Sequence, residues 1–279
     1  MVRAKRSLGQ NFLIDPQIQR RIVDALEAGP EDEVLEIGPG TGALTNHLAG
    51  KVRRLVAVEL DDRLAVELGQ RFRETPGVEI RHANALDLEL EEITLDPARL
   101  KVIGNIPYNI TSPLIFWLLE RPVRPERIVL MIQKEVADRI MASPGTKSYG
   151  ALSVGVRAVA RVERLFNVGR GAFRPVPDVD STVIRITPLR PPPLHPEEET
   201  DLRVLTRTAF SWRRKQLQKI LRSAPEYELD PETITRVERE TGIDLSLRPE
   251  SLEPEEFIRL SRGLRAVGLP RTTDLEGRV

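Results

Sequence analysis

An α/β fold, with a Rossmann-like sheet followed by a small C-terminal all-helical domain, is predicted by three features of these 279 residues. Short β-branched runs alternate with helix-period segments over the first two thirds, a proline-rich break follows at 187–196, and everything beyond it has helical spacing.

The elements follow in order. A helix is predicted over Pro16–Leu26 with Asp15 as its N-cap. Strands are predicted at Glu33–Ile37, Arg54–Glu59, Val78–His82, 100–105 and 127–132, with helical spacing between them at Leu44 and Leu48, then at Leu64, Leu68 and Phe72. Two further strands, 152–161 and 181–187, have no long helix between them and are expected to form an antiparallel edge, making seven strands in all. The segment from Thr187 to Pro196 is too rich in proline for helix or central strand. The expected division is a catalytic domain at 1–188, a linker at 189–199 and a helical domain at 200–279. Leu202, Leu205 and Ala209 form one apolar helix face there, Leu217, Ile220 and Leu221 a second, and Phe257, Leu260 and Leu264 a third.

Composition excludes several chemistries. With no cysteine and only His47, His82 and His195 as histidines, disulfides and thiolate metal sites are ruled out and no metal is expected. No apolar run is long enough to cross a bilayer, and the basic start, Met1 to Arg6, is not followed by a signal-type apolar core. A cytoplasmic protein is expected. The formal net charge of zero hides uneven segments: 201–222 holds seven basic residues against one acidic, and 226–256 holds eleven acidic against three basic.

Glu36-Ile37-Gly38-Pro39-Gly40-Thr41-Gly42 closes the first predicted strand, where glycines let the backbone approach a nucleoside-type ligand. The loop also satisfies a dinucleotide pattern, with Glu59 spaced to take a ribose diol. Glu36 favours S-adenosylmethionine, because a carboxylate repels a pyrophosphate and attracts an amine and a sulfonium. Asn105-Ile106-Pro107-Tyr108 follows the fourth strand. The Asn105 oxygen and the Ile106 carbonyl, held by Pro107, would accept the two hydrogens of an exocyclic base amine and aim its lone pair, while Tyr108 stacks on the base. In the helical domain Ser211 is expected to cap a helix starting near Trp212, placing Arg213, Arg214 and Lys215 in its first turn. Cations there oppose the helix dipole unless an anion binds, which points to RNA phosphate.

These segments, with Gly9-Gln10-Asn11-Phe12-Leu13, Phe173-Arg174-Pro175-Val176-Pro177-Asp178-Val179-Asp180-Ser181 and Arg213-Arg214-Lys215-Gln216-Leu217, resemble the ribosomal RNA adenine dimethyltransferases over nearly the whole chain. The resemblance implies a methyltransferase sheet that binds S-adenosylmethionine, with Asn11, Leu13, Gly38, Gly40, Glu59 and Asn105 as cofactor contacts. Asn84 stands where that family usually has an aspartate that contacts the adenine amine, and it is expected to replace it as a neutral acceptor. Phe173 resembles the aromatic opposite Tyr108. Its loop offers little core to fill, and an extruded base needs both faces covered. The implied activity is dimethylation of two adjacent adenosines near the 3′ end of small-subunit ribosomal RNA, on the RNA or its precursor particle, by a monomeric enzyme linked to ribosome biogenesis. An NAD-dependent dehydrogenase and a non-catalytic RNA-binding assembly factor remain as alternatives.

Overall fold

The computed structural model describes residues 9–108 and 110–270; the basic start 1–6 and the end of the helical domain, 271–279, lie outside them. Two compact units emerge, 1–137 with 160–188, and 138–159 with 189–279.

The first unit opens with β1 (Phe12–Leu13) and α1 (Pro16–Leu26). Asp15 caps α1 as expected, its side chain accepting from the Gln17 and Ile18 amides at 2.8 and 3.1 Å. Then come β2 (Glu33–Ile37), α2 (Thr45–Leu48), β3 (Arg54–Glu59), α3 (Asp62–Arg71), β4 (Val78–His82), β5 (Lys101–Asn105), α4 (Thr111–Leu119) and β6 (Arg127–Gln133). α5 (Lys134–Ile140) and α6 (Ala151–Arg157) precede β7 (Ala160–Val168), β8 (Phe173–Arg174) and β9 (Ser181–Pro188). Seven strands form one sheet in the order β4-β3-β2-β5-β6-β9-β7. β2 to β6 run parallel, and β9 and β7 complete the expected antiparallel edge. The chain passes outward from β2 through β3 to β4 and then returns to β5 on the other side of β2. That reversal opens a crevice at the carboxyl ends of β2 and β5. β2 and β3 are buried along nearly their whole length because helices cover both faces of such a sheet.

Two expectations about residues 138–159 need correction. Residues 152–157 are helix α6, with strand only from Ala160; Leu152, Val154 and Val156 form an apolar run too short for its period to separate helix from strand. The catalytic domain was also expected to contain all of 1–188, yet 138–159 packs with the helical residues. Tyr149 explains why. It is fully buried, donates its hydroxyl to the Leu252 carbonyl at 2.7 Å, and meets Phe210 edge-on at 5.8 Å between centroids.

The second unit continues with α7 (Pro196–Ser211), α8 (Leu217–Ser223), α9 (Pro231–Thr241) and α10 (Pro254–Ala266). All three predicted apolar faces are buried. The proline-rich stretch is shorter than expected at both ends, since Pro188 is the last residue of β9 and Pro196 begins α7, where a missing N–H costs nothing. Between them Leu194 is buried and the Pro193 carbonyl accepts from Arg262 at 3.1 Å. Among the described residues no helix is long and apolar enough to cross a membrane.

Candidate active site

The crevice at the sheet switch point is lined by Gly9 to Leu13, the loop from Glu36 to Thr41, Val58 to Leu60, Ala83 to Ala85, and Asn105 to Tyr108. The expected cofactor contacts Asn11, Leu13, Gly38, Gly40, Glu59, Asn84 and Asn105 are therefore brought together, with Ile106, Pro107 and Tyr108 beside them.

Local chemistry builds this cavity. Gly40 has φ +60°, and a side chain there would press on the Phe12 ring at 3.2 Å, so the loop needs glycine both for its conformation and for the aromatic laid over it. The Gly40 amide donates to Glu59 Oε2 at 2.9 Å, and the Asp61 amide to Glu59 Oε1 at 2.9 Å. Each carboxylate oxygen keeps a second lone pair for a diol. Burial raises the Glu59 carboxyl above its ordinary pKa, against the pull of the two amides. Arg71 Nη2 donates to the Thr41 carbonyl at 2.7 Å and holds the far side of the loop.

Glu36 is 1% exposed, and its Oε2 has no hydrogen-bond partner. Burial, aided by the nearby Glu59 charge, pushes its pKa up to about 7. A buried carboxylate oxygen without a donor, in a cavity of ligand size, suits a cationic ligand group and opposes a phosphate. The loop amide at Gly40 is likewise spent on a carboxylate and not turned to an anion. These two observations weigh against the dinucleotide reading.

Asn105 ends β5. Its Nδ2 donates to the Asn11 carbonyl at 3.0 Å, which fixes which end of the amide is oxygen and leaves Oδ1 as the acceptor. Ile106 is buried and its amide donates to the Met131 carbonyl at 3.1 Å, so the peptide leading into Pro107 has a set direction. Tyr108 is half-buried, with its hydroxyl 3.4 Å from Ser181 Oγ, and burial raises its pKa, keeping the ring a neutral phenol.

Two expected site residues and one expected helix cap stand differently. Phe173 is 1% exposed and belongs to the core cluster with Leu13, Met131 and Val183; it does not line the crevice. Its loop does have core to fill, because β8 pairs antiparallel with β1, placing Phe173 opposite Leu13. Two two-residue strands leave no periodicity from which that pairing could be read. Asn84 lines the crevice, but its Oδ1 already accepts from the Leu86 amide at 3.3 Å and its Nδ2 donates to Asp87 at 3.0 Å, so any adenine contact must use its remaining lone pair. Ser211 caps nothing. It is the last residue of α7, and its hydroxyl donates back to the Arg207 and Thr208 carbonyls at 2.9 Å each, as serine does inside helices. Arg213, Arg214 and Lys215 therefore lie in the turn before α8 and not in a helix's first turn. Sequence reasoning missed Phe12 and the clamp by Arg71, whose contacts become visible only in three dimensions.

The family model for ribosomal RNA adenine dimethylase matches residues 1–260. Ribosomal RNA small subunit methyltransferase A of Geobacter metallireducens is 44% identical over 269 residues, 96% of this chain and 98% of that protein. The protein of the same name from Levilactobacillus brevis is 42% identical, over 95% of this chain and 92% of its own length. Among solved structures, a dimethyladenosine transferase from Plasmodium falciparum aligns with a TM-score of 0.74 and 25% identity, over 92% of this chain and 98% of that one. The 23S rRNA methyltransferase ErmE aligns with a TM-score of 0.68 and 29% identity, over 91% of this chain and 100% of its own. A match of this length takes in the glycine loop, the asparagine-proline motif and the helical unit alike, and the chain belongs to the ribosomal RNA adenine dimethylase family.

Proposed function

We propose that this chain transfers two methyl groups to the exocyclic amine of each of two adjacent adenosines near the 3′ end of small-subunit ribosomal RNA. The observation that carries the chemistry is the fixed amide of Asn105, whose oxygen is left as an acceptor beside the glycine loop. The small subunit is favoured because relatives named for it are 42% to 44% identical, whereas ErmE, named for 23S rRNA, is 29% identical.

The orphaned Glu36 oxygen and the doubly anchored Glu59 fit S-adenosylmethionine, whose cationic end and ribose diol they would hold. When bound, that cofactor supplies an electrophilic methyl on a sulfonium. Asn105 Oδ1 and the Ile106 carbonyl accept the two amine hydrogens, which draws the nitrogen towards tetrahedral geometry and frees its lone pair from the ring. Alignment and electrostatics lower the barrier, and no strong base is needed because the methylated nitrogen is acidic until it sheds its proton. Tyr108 supports one face of the base. The core position of Phe173 leaves the second face to the RNA or to another residue.

The test uses small subunits from cells lacking the gene, incubated with the protein and S-adenosylmethionine carrying a labelled methyl. Label should enter the RNA near its 3′ end, and Asn105→Ala should remove most of it. A folded parent protein that transfers no label would overturn the reading.

A further inference from the structure

The turn between α7 and α8 was expected to use three consecutive cations on phosphate, but the structure divides their roles. Arg213 is committed inside its own unit: its guanidinium donates to Glu250 at 2.6 Å and to the Lys147 and Thr146 carbonyls at 2.6 and 2.8 Å. The turn is pinned further by the Lys215 amide on the Trp212 carbonyl at 2.8 Å, and by the Leu217 and Gln218 amides on the Leu247 and Leu245 carbonyls at 2.9 and 2.8 Å. From this fixed backbone Trp212, Arg214 and Lys215 face solvent, Trp212 being 40% exposed.

Lys219 and Arg222, one helical turn apart on α8, are exposed as well, and among the described residues none of these four cations has an ion pair. The one acidic residue in 201–222, Asp201, is bonded to Arg265 at 2.5 Å, and the nearby Glu250 is held by Arg213. A large aromatic held out on a rigid turn among unneutralised cations is the pairing that nucleic acid rewards, since the ring takes a base and the cations take phosphates. A protein partner would instead have to bury several like charges around one ring.

We propose that Trp212 stacks on an unpaired base of the ribosomal RNA, with Arg214 and Lys215 on the phosphates beside it. The inference rests on the reading of this chain as an RNA methyltransferase and adds to it an anchoring contact in the helical unit. The base is unpaired because bases inside an A-form helix already stack on both faces.

Two tryptophans are present, Trp117 and Trp212, so Trp117→Phe leaves Trp212 as the sole indole. Its fluorescence should be quenched by a short purine-rich single-stranded RNA and not by a blunt RNA duplex of equal length. Trp212→Ala should weaken binding to small subunits lacking the methylation by about 5- to 150-fold with the salt dependence unchanged, whereas Trp212→Phe should keep most of the affinity. Removing Arg214 and Lys215 should instead flatten the salt dependence. Equal quenching by both RNAs, or a folded Trp212→Ala protein that binds subunits as the parent does, would overturn the stacking role while leaving the methylation reading intact. A parent protein that methylates no RNA and binds no subunit would overturn both.

Discussion

Glu36 and Glu59 lie at the ends of neighbouring strands, yet their surroundings give them different work. Glu59 spends one lone pair of each oxygen on a backbone amide, while Glu36 keeps an oxygen with no donor. Because burial raises the Glu36 pKa to about 7, well above its unfolded value, the free protein holds an extra proton below that pH. Its contribution to stability is present below the unfolded pKa and is lost as pH rises through about 7. A cationic ligand has the opposite preference and binds the ionised form, which Thr45 and, less strongly, Arg71 favour and Glu59 opposes. Calorimetry should therefore show S-adenosylmethionine affinity rising with pH through about 7 with release of a proton, and Glu36→Gln should flatten the rise. At the reacting base, Asn105→Ala should lower kcat by about 100- to 1000-fold, as for loss of an oriented polar contact in other enzymes, with folding intact. Tyr108→Ala should also raise KM, because the proposed stack of its ring on the base is already made in the ground state. Steady-state methyl transfer separates the two effects. The placing of Glu36, Glu59, Asn105 and Tyr108 around one crevice was legible because each sits beside a strand end that the sequence marks. Phe173 was not, since its burial depends on pairing with Leu13 across 160 residues of chain.

At the scale of elements, the carboxyl end of β5 is fitted to β2 by a missing side chain. A Cβ on Gly104 would stand 2.6 Å from both the Ile37 carbonyl oxygen and Ile106 Cδ1, and a backbone atom cannot move aside cheaply. Gly104→Ala should cost on the order of 1–3 kcal/mol in urea denaturation, as overpacking of a filled core does, and should reduce activity by displacing Asn105. Unchanged stability would show that β5 adjusts freely. Most elements could be read from the chain because their apolar periods run long enough to be distinctive, as in α1, α3 and α10. α6 failed that test at seven residues, and the turn after α7 misled because Ser211, a common cap, bonds backwards into its own helix.

For the whole molecule, the parallel sheet, its antiparallel edge and the helical second unit follow from alternation and proline placement, whereas the order of strands in the sheet is seen only in the structure. The assignment of 138–159 does not follow from them either, because it turns on contacts such as Tyr149 with Phe210 and Leu252 that no local pattern announces. The division of labour among the three cations carries a further expectation. Arg213→Ala should lower the melting temperature, since it removes the half-buried ion pair with Glu250 and the two bonds that tie the turn to the Thr146 and Lys147 carbonyls. Replacing Arg214 and Lys215 should leave melting unchanged and weaken subunit binding most at low salt. Equal melting losses for all three would contradict the division. The central claim is the product. Dimethylation requires the site to accept an amine that has already lost one hydrogen to a methyl, with the remaining hydrogen held by Asn105 or Ile106 while the lone pair meets a second cofactor. Mass spectrometry of small-subunit RNA, taken from unmethylated particles after exhaustive reaction with the protein and S-adenosylmethionine, reads this directly. The account predicts N6,N6-dimethyladenosine at two adjacent positions near the 3′ end; an end product that stays monomethylated, or adenosines left unmodified by folded protein, would contradict it.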